Sequence, residues 1–531
     1  SRAYVWPSPQ LDALEAQRWD QDDKFSGLAG FIEPCDFFTF GDGTGRANTA
    51  DWIRTAYHDM ATHNIADGTG GLDASIRFPE EQSRGENVGT GFENTLDPFV
   101  SFMSRHISLA DLIAIGLITA VENCGGPQIA FRGGRIDAAE PNTPGVPEPQ
   151  QDLQAHIDSF ARQGFTQTEM IGLIACGHTF GGVEHGSFPD TVPELNDSNN
   201  TLSVAHFDST FGAFDNNVAT EYITGTTTNP LVVGANDTTN SDKRIFASDG
   251  NVTMKSFADS PDLFASTCAT LLARMLDTVP RDVKLTDVIE PLPVKPTQLQ
   301  LIHDGDSLKL SGLVRLFNQS DDPSRSVVLQ LEDRAGNKTS GIPLQPDHIS
   351  NTMGGRVQSA WYAFNETSTG TLSIDPAAGL TKLSFTVNGK LEDQGGVGFA
   401  IQDGALLSST SCLTSFNPIK GRFDVAVRNG LNPTRVFLEQ DVKDDVGRIS
   451  VKETDLTPPV QPVPAGSAYS LWSINLSDPN FEFKPYTIGT EVNGVKFSTL
   501  DGHALGDFNG CTPSSQRRAQ HKKRRASHYS A

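Results

Sequence analysis

Apolar positions along the chain follow two regimes that meet near Pro291. Up to about Pro280 they recur at helical spacing. Residues 48–61 put Trp52, Ile53, Ala56, Tyr57 and Met60 on one stripe, and Leu109 to Val121 is almost wholly apolar. Thr166 and Glu169 form a capping box ahead of Met170, Ile171, Leu173 and Ile174. From Pro291 the period falls to two, in LQLIHDGDSLKLSGLVRLF, SVVLQLED, KLSFTVNG and RFDVAVRNG, with turn signals between them. A multi-domain chain follows: a mostly α-helical domain over 1–290, a Pro-rich linker over 291–296 and an immunoglobulin-like β-sandwich over 297–415. A second β-rich domain or continuation is expected over 416–511, and a basic, disordered tail over 512–531.

Composition narrows the function classes. The 531 residues carry 65 acidic against 41 basic side chains, a net charge of −24, which argues against nucleic acid or an anionic membrane as partner. No run approaches the roughly 20 apolar residues that span a bilayer. The start at Ser1, without Met or an apolar leader, is expected to be a processed one. Six cysteines (Cys35, Cys124, Cys176, Cys268, Cys412 and Cys511) lie far apart with no zinc spacing. Sequons begin at Asn196, Asn199, Asn236, Asn251, Asn318, Asn337, Asn365 and Asn475. Together these predict a secreted, extracellular, disulfide-bonded glycoprotein.

Arg54 and His58 in WIRTAYHDM stand four apart, on one helix face. A solvated helix could carry such a pair, as a core could carry His178 at the end of EMIGLIACGHTFGG; their company decides. RTAYHD, GGLDASI, SLADLIAIG, GGRIDA and LIACGHTFGG, in that order, resemble the haem peroxidases of the plant and fungal superfamily over about residues 30–280. The resemblance implies a helical peroxidase fold with haem b.

It makes His58 the distal acid/base, Arg54 the distal cation and His178 the proximal iron ligand. Hydrogen peroxide must lose a proton from one oxygen and gain one on the other, which a single neutral imidazole can broker. The charge that develops on the leaving oxygen suits a guanidinium that stays protonated. By the same resemblance Asn87 fixes the His58 tautomer, Glu81 supports Asn87, and Asp249 in RIFASDGNVT receives the His178 proton. Tyr57 precedes the distal His where relatives carry Phe or Trp, and Phe207 stands where the intracellular class often has Trp. The crosslink of catalase-peroxidases and a proximal tryptophan radical are therefore not expected.

Two groups of oxygen ligands read as Ca²⁺ sites. One joins Asp59 to the Gly71 carbonyl, Asp73 and Ser75; the other joins Thr179 to Asp208, Thr210, the Ala213 carbonyl and Asp215. The second group and ENCGGP resemble the secreted fungal class, and by that similarity Cys35 pairs with Cys124. Cys176, close to His178, is expected to pair with Cys268, which leaves Cys412 with Cys511, one of 15 arrangements.

The reaction implied is reduction of hydrogen peroxide to water through an oxoferryl porphyrin radical, followed by one-electron oxidation of small phenolic or aromatic donors. Asp51 and Glu184 match two of the three carboxylates of a manganese site, with Ala47 at the third. Leu173 stands where ligninolytic relatives place a redox-active Trp. The rival reading makes the β half the functional part, a carbohydrate or cell-wall polysaccharide binder with Trp361, Tyr362 and Trp472 as a stacking platform; core packing explains those rings equally well. A monomer is expected.

Overall fold

Among the described residues the first half of the chain is helical apart from one two-stranded sheet, Gly182–Glu184 with Val204–His206, and the second half is built of sheets. The computed structural model describes residues 4–21, 27–38, 43–364, 371–416, 419–459, 467–478, 486–499 and 509–511. The basic tail expected over 512–531, Ser1 and Asn365 lie outside the described residues. The helices are α1 (Pro9–Trp19), α2 (Asn48–Met60), α3 (Pro79–Gln82), α4 (Gly91–Phe99), α5 (Leu109–Asn123), α6 (Leu153–Gln163), α7 (Gln167–Gly177), α8 (Asn217–Thr224), α9 (Pro230–Val233), α10 (Ser241–Phe246), α11 (Val252–Asp259) and α12 (Pro261–Leu276). None is long and apolar enough to cross a membrane.

Local chemistry explains where these helices begin and what they bury. The α2 stripe of Trp52, Ile53, Ala56 and Met60 enters the core. Every residue of α5 is buried, and Ser108 caps it by accepting the Asp111 N–H at 3.0 Å. Gly116 lies inside α5 because the Phe99 ring of α4 passes over it; a Cβ there would stand 2.5 Å from that ring. The capping box forms: Thr166 Oγ1 accepts from Glu169 N–H at 3.3 Å, and Glu169 Oε2 accepts from Thr166 N–H at 2.8 Å. The helix it opens, α7, ends at Gly177 and hands the chain to His178. Disulfides join Cys35 to Cys124, Cys176 to Cys268 and Cys412 to Cys511. The second ties α7 to α12 two residues before His178.

Two five-stranded antiparallel sheets follow. The first runs Val294–Asp304, Ser307–Phe317, Val357–Ala363, Gln345–Thr352, with Leu372–Ile374 also on Ser307–Phe317. The second is built on Val327–Glu332 and Lys382–Val387. They share one core that includes Leu308, Leu310, Leu329, Phe364 and Phe385. A third sheet holds Ala405–Leu407, Cys412–Phe416, Ile419–Arg428 and Tyr469–Asp478, and a fourth holds Arg435–Lys443, Ile449–Asp455, Tyr486–Val492 and Val495–Ser498.

Three sequence expectations are corrected here. A division at 415/416 cuts the hairpin in which Phe416 pairs with Ile419. Along Ala405–Leu407 and residues 423–427 the third sheet is buried on both faces: Leu406 and Ala426 join the first β core, while Ala405 and Leu407 join the second. The linker's last residues are already strand, since Val294 pairs with Leu316. The N-terminal stretch does not belong wholly to the helical domain either, because Trp6 packs in the first β core and exchanges two hydrogen bonds with Gln394 at 2.7 and 2.8 Å.

The halves are joined by buried charge. Glu15 of α1 pairs with Lys295 and Arg315, and Asp20 pairs with Arg315; all four are at most 3 % exposed. Arg356 donates to the carbonyls of Glu122 and Gly126. Arg105 pairs with Asp441 and Glu439, and Arg77 donates to the Val446 carbonyl.

Candidate functional site

A cavity of about 720 Å³ opens between α2 and the end of α7. Arg54, Tyr57 and His58 face it from one side, and Leu173, His178 and Phe207 from the other. Its size and largely apolar lining, with a histidine on each wall, fit a flat macrocycle.

On the α2 wall, His58 Nδ1 meets Asn87 Oδ1 at 2.7 Å. The amide oxygen can only accept, so Nδ1 carries the proton and Nε2 is left with a free lone pair. Burial, and then the Arg54 guanidinium, hold His58 well below its ordinary range, against the pull of Asn87. Arg54 is lowered by burial to about 10, still protonated at neutral pH, and donates to the Val88 carbonyl at 2.9 Å. Tyr57 stacks on Phe160 with ring centroids 5.8 Å apart, beside His58.

Glu81 meets Asn87 through its main chain. Asn87 Nδ2 donates to the main-chain carbonyl of Glu81 at 2.8 Å, while the Glu81 carboxylate takes the Asn142 N–H. The turn from α3 into the 3₁₀ segment Gly85–Asn87 brings Asn87 back beneath that carbonyl.

On the α7 wall, Asp242, not Asp249, receives the His178 proton: His178 Nδ1 to Asp242 Oδ2 is 2.8 Å, and Asp242 is buried. Asp249 instead accepts from the N–H groups of Val252 and Thr253 at 3.0 and 2.9 Å, holding the first turn of α11. The bond to Asp242 leaves His178 Nε2 as the atom free to ligate. Phe207 lies flat on His178, centroids 4.0 Å apart and 9° between planes. Gly182 has a structural cause: the strand Val204–His206 runs alongside it, and a Cβ would lie 2.2 Å from the Ala205 carbonyl oxygen.

The two oxygen-ligand groups differ. Asp59 is spent on the N–H groups of Asp73, Ala74 and Ile76 at 2.7–2.9 Å. Both Asp73 oxygens and Ser75 Oγ converge on Asn142 Nδ2 at 2.9–3.0 Å. Gly71 precedes them in the same turn, its N–H donating to Thr62 Oγ1. In the other group Thr179 Oγ1 donates to the Asp215 carbonyl at 2.8 Å, and Thr210 N–H donates to Asp208 Oδ1 at 2.9 Å. Ala213 closes its turn on the Thr210 carbonyl. Asp208 Oδ2 is buried without a hydrogen-bond partner, and burial, then Asp215 and Glu221, push this carboxyl up to about 7. An orphaned carboxylate oxygen among hydroxyls and carbonyls fits a hard cation. Among the described residues no three His, Cys, Asp or Glu side chains form a metal-holding cluster.

Arg46 belongs to the site although no motif marks it. It pairs with Asp51 at 3.0 Å and with Glu184 at 3.2 Å, so a guanidinium stands between the two acids read as part of a manganese site. The aromatic platform also fails at two of its members: Trp361 and Tyr362 are 1 % and 3 % exposed, the former bonded through Nε1 to Ser350 Oγ at 2.8 Å. Trp472 is half-buried against the second β core.

Comparison with known proteins agrees with this geometry. The peroxidase family model matches residues 41–260. A WSC domain-containing protein of Arthroderma benhamiae is 39 % identical over 368 residues, 68 % of this chain and 50 % of that protein. That stretch is longer than the family match, so the likeness reaches past it. The peroxisomal L-ascorbate peroxidase 5 of Arabidopsis thaliana is 34 % identical over 129 residues, 24 % of this chain and 46 % of that protein. The mitochondrial cytochrome c peroxidase of Yarrowia lipolytica is 34 % identical over 181 residues, 33 % of this chain and 51 % of that protein. The chain thus spans about half the length of these relatives, and residues 41–260 belong to the peroxidase family.

Proposed function

We propose that this protein is a haem peroxidase that reduces hydrogen peroxide to water and draws single electrons from small phenolic or aromatic donors. The observation that carries the reading is the pair of histidines across one cavity, His58 held neutral with Nδ1 bound to Asn87, and His178 bound to Asp242. Haem b, ligated by His178 Nε2, would supply the iron at which peroxide is reduced and the store for two oxidising equivalents. His58 Nε2 takes the proton from the nearer peroxide oxygen and returns it to the farther one, so that water leaves. Arg54, charged and four residues earlier on the same helix face, stabilises the negative charge that grows on that departing oxygen. Asn87 holds the imidazole ring in the one tautomer that can do this. Asp242 draws the His178 proton and strengthens Nε2 as a ligand.

The donor and its surroundings belong to the same proposal. The Arg46 pairs with Asp51 and Glu184 favour organic donors over Mn²⁺, whose binding would have to displace a guanidinium. We assign a Ca²⁺ to the group of Thr179, Asp208, Thr210, Ala213 and Asp215 on the strength of the orphaned Asp208 oxygen. The Asp59, Gly71, Asp73 and Ser75 group is closed on Asn142 and receives no cation in this reading. Secretion is supported by three disulfides and by seven exposed sequon asparagines, Asn196, Asn199, Asn236, Asn251, Asn318, Asn337 and Asn475.

The visible spectrum of the purified protein, before and after one equivalent of hydrogen peroxide, tests the function. A Soret band that falls and then recovers when a phenol is added is the expected result. A protein that takes up no haem, or whose band ignores peroxide, overturns the proposal. Metal analysis tests the cation: one Ca²⁺ per chain is expected, and two would assign the Asp59 group as well, with Asn142 displaced.

A further inference from the structure

Asp242 Oδ2 is shared between two donors. It accepts from His178 Nδ1 at 2.8 Å and from Asn229 Nδ2 at 2.8 Å, and both Asp242 and Asn229 are 1 % exposed. Asn229 is fixed from its other side too. Its Oδ1 accepts the Leu231 N–H at 2.8 Å, capping α9, and its own N–H donates to Thr227 Oγ1 at 3.1 Å. It is absent from the cavity lining and reaches the site through two partners that do line it, Asp242 by its amide N–H and Leu231 by its cap.

A carboxylate oxygen that serves two N–H donors polarises each less than it would polarise one alone. Negative charge drawn toward the Asn229 amide is withheld from the His178 N–H, and the basicity of a ligating histidine follows the pull on its other nitrogen. We propose that Asn229 is a positioning residue that moderates Asp242, and thereby sets how strongly His178 Nε2 donates to the iron. This rests on the peroxidase reading. Phe207 fits the same picture. Packed flat on the His178 ring, it offers no N–H, so the amide of Asn229 is the second side-chain donor on this oxygen among the described residues.

The test compares the haem-loaded wild type with Asn229→Leu, Asn229→Ser and Asp242→Asn. The readouts are the reduction potential, from spectroelectrochemical titration, and the iron–histidine stretching frequency of the ferrous protein. Both Asn229 variants should have a more negative potential and a higher stretching frequency than the wild type, and Asp242→Asn should move both in the opposite direction. Serine keeps an oxygen able to cap the Leu231 N–H but is too short to reach Asp242, so it separates donation from capping and decides the matter if the leucine variant does not fold. Wild-type potentials in the Asn229 variants, with only a lowered melting temperature, would make the residue a cap and overturn the proposal. A shift in the same direction as Asp242→Asn would overturn it equally. A wild-type protein that takes up no haem overturns the peroxidase reading and this inference with it, whereas normal uptake with unmoved potentials overturns this inference alone.

Discussion

Two effects of the same sign keep His58 neutral, burial first and the Arg54 charge second, and they outweigh the Asn87 bond that favours the protonated ring. Protonation is therefore delayed to below the ordinary value of 6.5. The rate of the first peroxide step should stay level as pH falls past that point and drop only on the acid side. Arg54→Leu removes a charge that opposes protonation, so the same limb should move toward higher pH while the rate falls. Stopped-flow pH profiles check both; a wild-type limb at or above 6.5 would contradict the assignment of a buried neutral base. His58→Leu should slow the step by about 10²–10⁴-fold with haem still bound, the usual worth of a positioned acid/base. At the other histidine, Asp249→Ala should leave the haem spectrum unchanged and cost about 1 kcal/mol, as loss of a helix-capping acceptor does. Asp242→Asn should alter the spectrum. Equal spectral changes in the two would show that the carboxylates are not distinguished as the geometry requires.

The loop that follows α7 carries its own pH dependence. Asp208 rises from 3.8 to about 7, chiefly through burial. A carboxyl raised in the folded state contributes stability that is full at about pH 4 and is lost as pH climbs through about 7. Protein stripped of Ca²⁺ should thus lose thermal stability over that window, and added Ca²⁺ should restore most at its upper end, where the carboxylate is charged. Differential scanning at several pH values checks this, with Asp208→Asn expected to flatten the dependence; a melting temperature indifferent to verified metal removal would remove the cation. The same elements show what the sequence made legible. The α2 stripe, the Thr166 capping box and the motifs around His58 and His178 are local patterns, and each found its place. Asp242 was misread as Asp249 because Ser-Asp occurs twice, seven residues apart, and nothing local marks which one meets a histidine 64 positions earlier. The role of Glu81 passes through its carbonyl, which no side-chain pattern encodes. Asn142 meets Asp73 and Ser75 69 and 67 positions earlier, and Arg46 joins nearby Asp51 to Glu184 138 positions on. In the strand Val357–Ala363 the run Ser359 to Ala363 is buried without a break, which erases the alternation by which Trp361 and Tyr362 could have been judged.

The β half is built onto the helical domain rather than strung after it, and the strongest tie is the most enclosed. Glu15 of α1 and Asp20 at its C-terminal cap project into a space where Arg315 and Lys295 are their counter-charges, at side-chain exposures of 0–3 %. Such a group is not read as a source of net stability, since removing four charges from water costs about what their attraction returns. Removing one member is different. Arg315→Met would leave Asp20 unpaired and Glu15 with Lys295 alone, and breaking a buried pair in this way costs about 3–5 kcal/mol. The loss falls on the contact between α1 and the strand Ser307–Phe317, and α1 in turn packs through Leu14 into the core that carries α2 and α7. Damage on the β side should therefore reach the haem cavity. Thermal unfolding followed at the Soret band and by far-ultraviolet circular dichroism should show one coincident transition in the wild type, and in Arg315→Met both signals should move down together. A Soret transition left at the wild-type temperature while the β signal melts early would show a separable module and return the rival reading, in which the β half acts by itself, to contention.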